Sequence, residues 1–333
     1  MSPSVSLHPR HARIPNPAAR SRIPAIVQWE EPAAPRPDQG SPFRGLQPRD
    51  LALLQAIVEM RYATIVQAGI VSEFANYSYA ARRLRQFLGY GWVQRGQIPD
   101  VYTETSRSGI VTTRRRFHWV YSITEQGLTW LRDIDPIWAQ THSELLAPAG
   151  RPIAADRVRH ELDRNTAVHQ LSQIGLPESQ EFQWTHGSDG AIRAYPYGLH
   201  GERLSIIPDA VVYGGAQIWL VELERSWRTT TIAKKSHQYA SYFQHELWRQ
   251  RFWQRPRVLF VLTDGSTQHA SWQQWWAQAT LLRGNTAYVV RLDDLSQPNA
   301  PFHHQDTKAP YAIHTTSWTA LHTESRSTPQ RSR

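Results

Sequence analysis

Two adjacent glycines, Gly214 and Gly215, separate the runs at 204–213 and 216–224, and this pair constrains the fold more than any other feature of the chain. A Gly-Gly dipeptide between two runs rich in Ile, Val and Leu supplies the backbone freedom of a tight two-residue hairpin. With the loop centred on the glycines, Asp209 lies opposite Leu220. Strand alternation then gathers Asp209, Leu220, Glu222 and Glu224 on one face, with Asp209 and Glu222 as diagonal neighbours. Two carboxylates about 5 Å apart repel by roughly 3 kcal/mol at an effective dielectric near 20. Such a face calls for a bound cation, a nearby Lys or Arg, or a shared proton. Only three lysines occur in the chain, and two of them, Lys234 and Lys235, stand just beyond this acidic strand.

The surrounding pattern places a helix at 153–174, strands near 180–185, 204–213 and 216–224, a helix at 230–249, a strand at 257–263, a helix at 268–283 and a strand at 286–292. This αβββαβ order, with an added helix and strand, predicts a mixed sheet flanked by helices over 153–295. Trp272, Trp275 and Trp276 have spacings of 3 and 1 on the 268–283 helix and read as a core stripe.

A second compact stretch covers 46–133. Leu51, Leu54, Ile57 and Val58 share one face of a helix that begins at Pro48 and Asp50 and runs to about Tyr62. A short helix fits 64–68. A third starts at Ser78, with Ala81, Leu84, Phe87 and Leu88 inward and Arg82, Arg83 and Arg85 outward. Trp92-Val93 forms a strand. A polar hairpin carrying Arg107 and Arg114-Arg115-Arg116 leads to a second strand at 117–123, and a helix follows to Arg132. Three helices and a hairpin resemble a winged helix-turn-helix. That resemblance implies a third helix in the DNA major groove, with Tyr77, Tyr79, Arg82, Arg83 and Arg85 facing the duplex, and Arg114, Arg115 and Arg116 on phosphates.

Charge agrees with this division. The chain of 333 residues has a net charge of +9. Residues 46–133 hold 11 cations against 7 anions, whereas 134–300 hold 16 of each, so the basic excess points to nucleic-acid contact through the first half. Residues 1–45 contain nine of the 22 prolines and read as a mobile arm, 134–152 as a linker and 296–333 as a mostly loose tail. The absence of cysteine rules out disulfides, thiol catalysis and Cys-ligated metals. With no apolar run long enough to span a bilayer and no signal-peptide core, a cytoplasmic protein without membrane contact is expected. HExxH, GxxxxGK[ST] and GxGxxG patterns are missing, which leaves zinc hydrolysis, ATP-driven chemistry and dinucleotide binding without support.

Pro208-Asp209 followed by Glu222-x-Glu224 resembles the PD-(D/E)xK nuclease superfamily. The resemblance implies Mg²⁺ held by Asp209 and Glu222, with Glu161 added to the metal shell. Glu224 stands where that family has its lysine, and Lys234 or Lys235 would supply the cation from the next helix. Gln238 and Tyr242 resemble a Gln-x-x-x-Tyr helix motif of the same superfamily. The catalytic set so implied is Asp209, Glu222, Glu224, Lys234, Lys235, Gln238 and Tyr242, acting on a phosphodiester through a metal-activated water. Taken over 46–295, the winged helix, the Pro-Asp strand and the Glu222–Arg225 segment are similar to the replication-relaxation family. This implies a double-stranded DNA partner in plasmid or mobile-element replication, relaxation or mobilisation, with Mg²⁺-dependent nicking as one activity. The alternative is a non-catalytic regulator or accessory factor whose nuclease-like domain scaffolds or forms a homodimer.

Overall fold

The computed structural model describes residues 27–30, 46–72, 77–105, 111–142, 154–173, 182–186, 192–194, 204–214, 217–225, 229–263, 287–297, 301–305 and 313–317. Within them the chain is a mixed α/β protein, and no helix is long and apolar enough to cross a membrane.

The first part runs β1 (Gln28–Trp29), α1 (Pro48–Met60), β2 (Ala63–Thr64), α2 (Ile65–Val71), α3 (Tyr77–Gly89), β3 (Val93–Thr105), β4 (Val111–Ile123), α4 (Glu125–Ile134) and α5 (Pro136–Thr141). Pro48 and a reciprocal pair of bonds between Gln47 and Asp50 start α1, satisfying amides that a helix leaves open at its first turn. Leu53, Leu54, Ile57 and Val58 of α1 then pack with Leu84 and Phe87 of α3 and Leu128 and Leu131 of α4 in one buried cluster. Thr124 caps α4 by accepting from the Gly127 amide at 3.1 Å. Gly127 is needed there because a Cβ would lie 2.2 Å from the Trp92 carbonyl oxygen.

Three expectations for this part are corrected. The strands are not confined to Trp92-Val93 and 117–123: β3 and β4 form a ribbon paired from Val93↔Ile123 to Thr105↔Val111, which includes Arg114, Arg115 and Arg116. The Thr, Tyr and Val content of both arms favours the extended ladder. The arm at 1–45 contributes β1, with Gln28↔Gln97 and Trp29↔Gly96 pairing, a buried Val27, and Trp29 stacked on Tyr62 at 6.0 Å. The linker at 134–152 begins with α5, whose Trp138 amide donates to Asp135 at 3.0 Å and whose Ala139 is buried.

The second part contains α6 (Ala155–Gln173), β5 (Phe182–His186), β6 (Ile192–Ala194), β7 (Leu204–Ile206), β8 (Ala210–Gly214), β9 (Gln217–Glu224), α7 (Thr229–Gln244), β10 (Arg257–Leu262), β11 (Ala287–Arg291), β12 (Pro301–Gln305) and β13 (Ile313–Ser317). Seven strands form a sheet in the order β13-β12-β11-β10-β9-β8-β5, while β6 and β7 pair separately. β9, β10 and β11 are parallel, with α7 as the crossover between the first two. One face, with Val211, Leu220, Val258 and Phe260, packs on Tyr239, Tyr242 and Phe243 of α7. The other, with Ala210, Val212, Val221 and Leu259, packs on Ala167, Val168 and Leu171 of α6.

Here too the sequence reading is amended. The strand expected over 204–213 is split at Ile207-Pro208, where proline has no amide to give the ladder. The hairpin register is Gly214↔Gln217 and Val211↔Leu220, two residues from the expected pairing, because Gly214 belongs to the strand. The shift is even, so the faces survive. The tail at 296–333 supplies β12 and β13, with β12 covering the edge of β11 through Val289↔His303. The helix expected at 268–283, with its three tryptophans, lies outside the described residues.

The two parts meet through an apolar cluster that joins Tyr62, Ile98 and Val120 to Ala155 and Val158 of α6, and through polar groups of α6 and β5. Arg164 and Asn165 both donate to the Met60 carbonyl at 3.2 Å, and Asn165 also donates to that of Tyr62 at 2.8 Å. The His186 ring bonds the Glu59 carbonyl. These carbonyls close α1, where Arg61 has a left-handed φ of 62°, so residues of the second part satisfy acceptors that a helix end leaves open.

Candidate functional site

Glu222 and Glu224 sit at the carboxyl end of β9, the place in an open α/β sheet where ligands bind. Alternation points both toward α7. Lys235, on the second turn of that helix, reaches Glu222 Oε2 and Glu224 Oε1, each at 2.6 Å. Tyr239, one turn further, donates its hydroxyl to Glu222 Oε1. Asp209 immediately precedes the first residue of the neighbouring strand β8: its amide donates to the Val221 carbonyl at 2.8 Å and its Oδ2 accepts from the Leu223 amide at 2.8 Å. His160 of α6 bonds Asp209 Oδ1 at 2.7 Å. Four segments of the second part, α6, the start of β8, β9 and α7, thereby converge on one acidic group.

The electrostatics follow from burial. Glu222 is only 4 % exposed, and burial pushes its carboxyl up to about 7 despite the Lys235 ammonium. Burial works against the Lys235 charge, but Glu222, Glu224 and Asp209 outweigh it and hold the amine above its ordinary value. Asp209 is held below the carboxylate range: burial opposes its charge, while His160, Lys235 and the Leu223 amide more than offset it. The same bond to Asp209 raises His160.

Other expected residues stand elsewhere. Glu161 is ion-paired to Arg164 one turn along α6. Tyr242 is fully buried among Tyr239, Phe243 and the sheet, so the hydroxyl at the carboxylates belongs to Tyr239. Lys234 is exposed and Gln238 half-buried on α7. Reading the sequence missed Tyr239 and His160. Tyr239 had a signal, since it lies four residues after Lys235 on the same helix face. His160 had none, because its partner is 49 residues away.

Magnesium requires hard oxygen donors that can turn toward it. Both oxygens of Glu222 and both of Asp209 are engaged by protein partners, and the Lys235 ammonium lies between Glu222 and Glu224. Among the described residues no group of three or more His, Asp or Glu side chains is placed to hold a metal ion. In this arrangement an ammonium occupies the space between the two glutamates.

In the first part, α3 carries Tyr79, Arg82 and Arg85, with Arg82 and Arg85 exposed. Arg83 is corrected: its Nε donates to Asp50 Oδ1 at 2.7 Å, and a second bond joins it to Oδ2 of the same carboxylate, which is 1 % exposed. It ties α3 to α1 instead of facing outward. Arg114, Arg115 and Arg116 pair with Tyr102, Val101 and Asp100 along the ribbon; their side chains, and that of Tyr77, lie outside the described residues. Comparison of the chain with family models, curated proteins and solved structures finds no match.

Proposed function

We propose that this protein binds double-stranded DNA through a winged-helix-like first part and acts as an accessory factor in the replication, relaxation or mobilisation of plasmid-like DNA. The observation that carries the reading is the third helix of a helix-helix-helix-ribbon unit, which exposes Arg82 and Arg85, followed in sequence by three successive arginines on the ribbon. Arginine in both positions matches the groove-and-backbone geometry of such domains. Binding that neutralises about six phosphates gives a log–log salt slope near 5 in magnitude. An affinity that does not change with salt refutes the reading.

In the second part Lys235 reaches Glu222 and Glu224, where both the nicking and the accessory reading accommodate a cation, so an assay has to choose between them. Supercoiled plasmid incubated with wild type and with Asp209→Ala/Glu222→Ala, in Mg²⁺, Mn²⁺ or EDTA, separates the two. Intact plasmid in every lane, from protein that still binds it, supports the accessory factor; nicked product requiring both metal and carboxylates establishes the nuclease.

A further inference from the structure

We infer that Arg49, at the start of α1, is a DNA-backbone contact that works with Arg82 through the ring of Tyr79, making a two-guanidinium clamp for duplex phosphates. The inference rests on the DNA-binding reading and adds to it a residue from a different helix. Arg49 and Arg82 are 33 positions apart, yet their guanidinium carbons stand 4.5 and 4.4 Å from the centroid of the same Tyr79 ring. The Arg49 Nη2 also donates to the Tyr79 hydroxyl at 3.1 Å. Two cations are therefore held no more than about 9 Å apart, although like charges repel.

Arg49, Arg82 and Arg85 are all exposed. Stacking on an aromatic face fixes a planar guanidinium before any ligand arrives, so less side-chain freedom is lost when its fork meets a phosphate. Phosphate is the anion that this planar, bidentate geometry fits. A duplex supplies phosphates in a regular row, so two forks on one ring can engage the backbone together. Tyr79 is a positioning residue in this arrangement.

The test is fluorescence anisotropy of the full chain on a labelled duplex, across a salt series, with folding of each variant checked by its thermal transition. Arg49→Gln is expected to weaken binding about tenfold and to lower the log–log slope by about 0.9, the signature of one lost phosphate. Arg49→Lys keeps the slope and still loses affinity, because the charge stays while the stacked fork goes. Arg132→Gln, an exposed change on α4, alters neither. Arg49→Gln with unchanged slope and affinity, while Arg82→Gln and Arg85→Gln lower both, overturns the clamp and leaves the DNA reading standing. Wild type without salt-dependent binding overturns the DNA reading itself.

Discussion

The Lys235 ammonium is 2.6 Å from Glu222 Oε2, joining residues 13 positions apart on α7 and β9. Its second carboxylate, Glu224, is 6 % exposed. Removing one partner of a buried ion pair leaves an uncompensated charge, at about 3–5 kcal/mol. Lys235→Met is expected to lower the unfolding free energy by that order in urea titration, and Lys234→Met, on the exposed side of the helix, by less than about 0.5 kcal/mol. Equal effects would show that the ammonium does not hold the site together.

Arg83 and Arg82 are neighbours with opposite expected behaviour. Arg83→Gln strips the buried Asp50 of its cation and should cost about 2–4 kcal/mol of stability while leaving the salt slope of DNA binding unchanged. Arg82→Gln should lower the slope and leave stability within about 0.5 kcal/mol. Paired melting and binding measurements check both.

His186 makes stability sensitive to acid. Burial, with the nearby Arg164 charge, depresses its ring to about 3, against about 6.5 in an unfolded chain. The unfolded state therefore binds more protons between these values. The contribution is complete above pH 6.5 and is lost as pH falls toward 3, at up to about 1.4 kcal/mol per pH unit. Glu222, raised by burial to about 7, acts in the other direction between pH 4.5 and 7. The informative quantity is therefore wild type minus His186→Gln, whose amide can still donate to the Glu59 carbonyl but does not titrate. That difference should shrink as pH falls from 6.5.

Arg164 joins the two parts of the chain, bonding the Met60 carbonyl while paired to Glu161. Arg164→Ala should cost about 3–5 kcal/mol, and Asn165→Ala about 1–3 kcal/mol. Calorimetry of both variants should show the larger drop in melting temperature for the arginine variant, in which the Asn165 and His186 contacts to the first part remain.

Gly127→Ala places a methyl carbon 2.2 Å from a backbone oxygen, which cannot give as a flexible side chain can. A loss of about 2–4 kcal/mol is expected by thermal unfolding, more than the helix propensity of alanine returns.

The parts of the fold that were legible in sequence are those set by local periodicity. The apolar stripe of α1, the helix running to about Arg132 and the alternation of β9 each follow from residues within one or two turns. Glu222 and Glu224 share a face with Lys235 opposite them because strand and helix periods survive tertiary packing. What was not legible depends on distant partners. Trp29 needed Tyr62 and β3 to become part of a sheet, so a Pro-rich context concealed β1. Arg83 has the same local surroundings as Arg82, and only the packing of α3 on α1 separates a tie from an exposed cation. The hairpin register required knowing that Gly214 is paired, which a dipeptide rule does not reveal.

Outward from Gln97 and Val120, β3 and β4 pair with each other and, among the described residues, with no further strand. Such a ribbon has two open edges, and open edges recruit strands from other molecules. Pro99 interrupts the donors on one arm, and the run from Arg114 to Arg116 makes the other mutually repulsive between copies. Colloidal behaviour thereby becomes tied to ionic strength, because added salt weakens the repulsion that keeps copies apart.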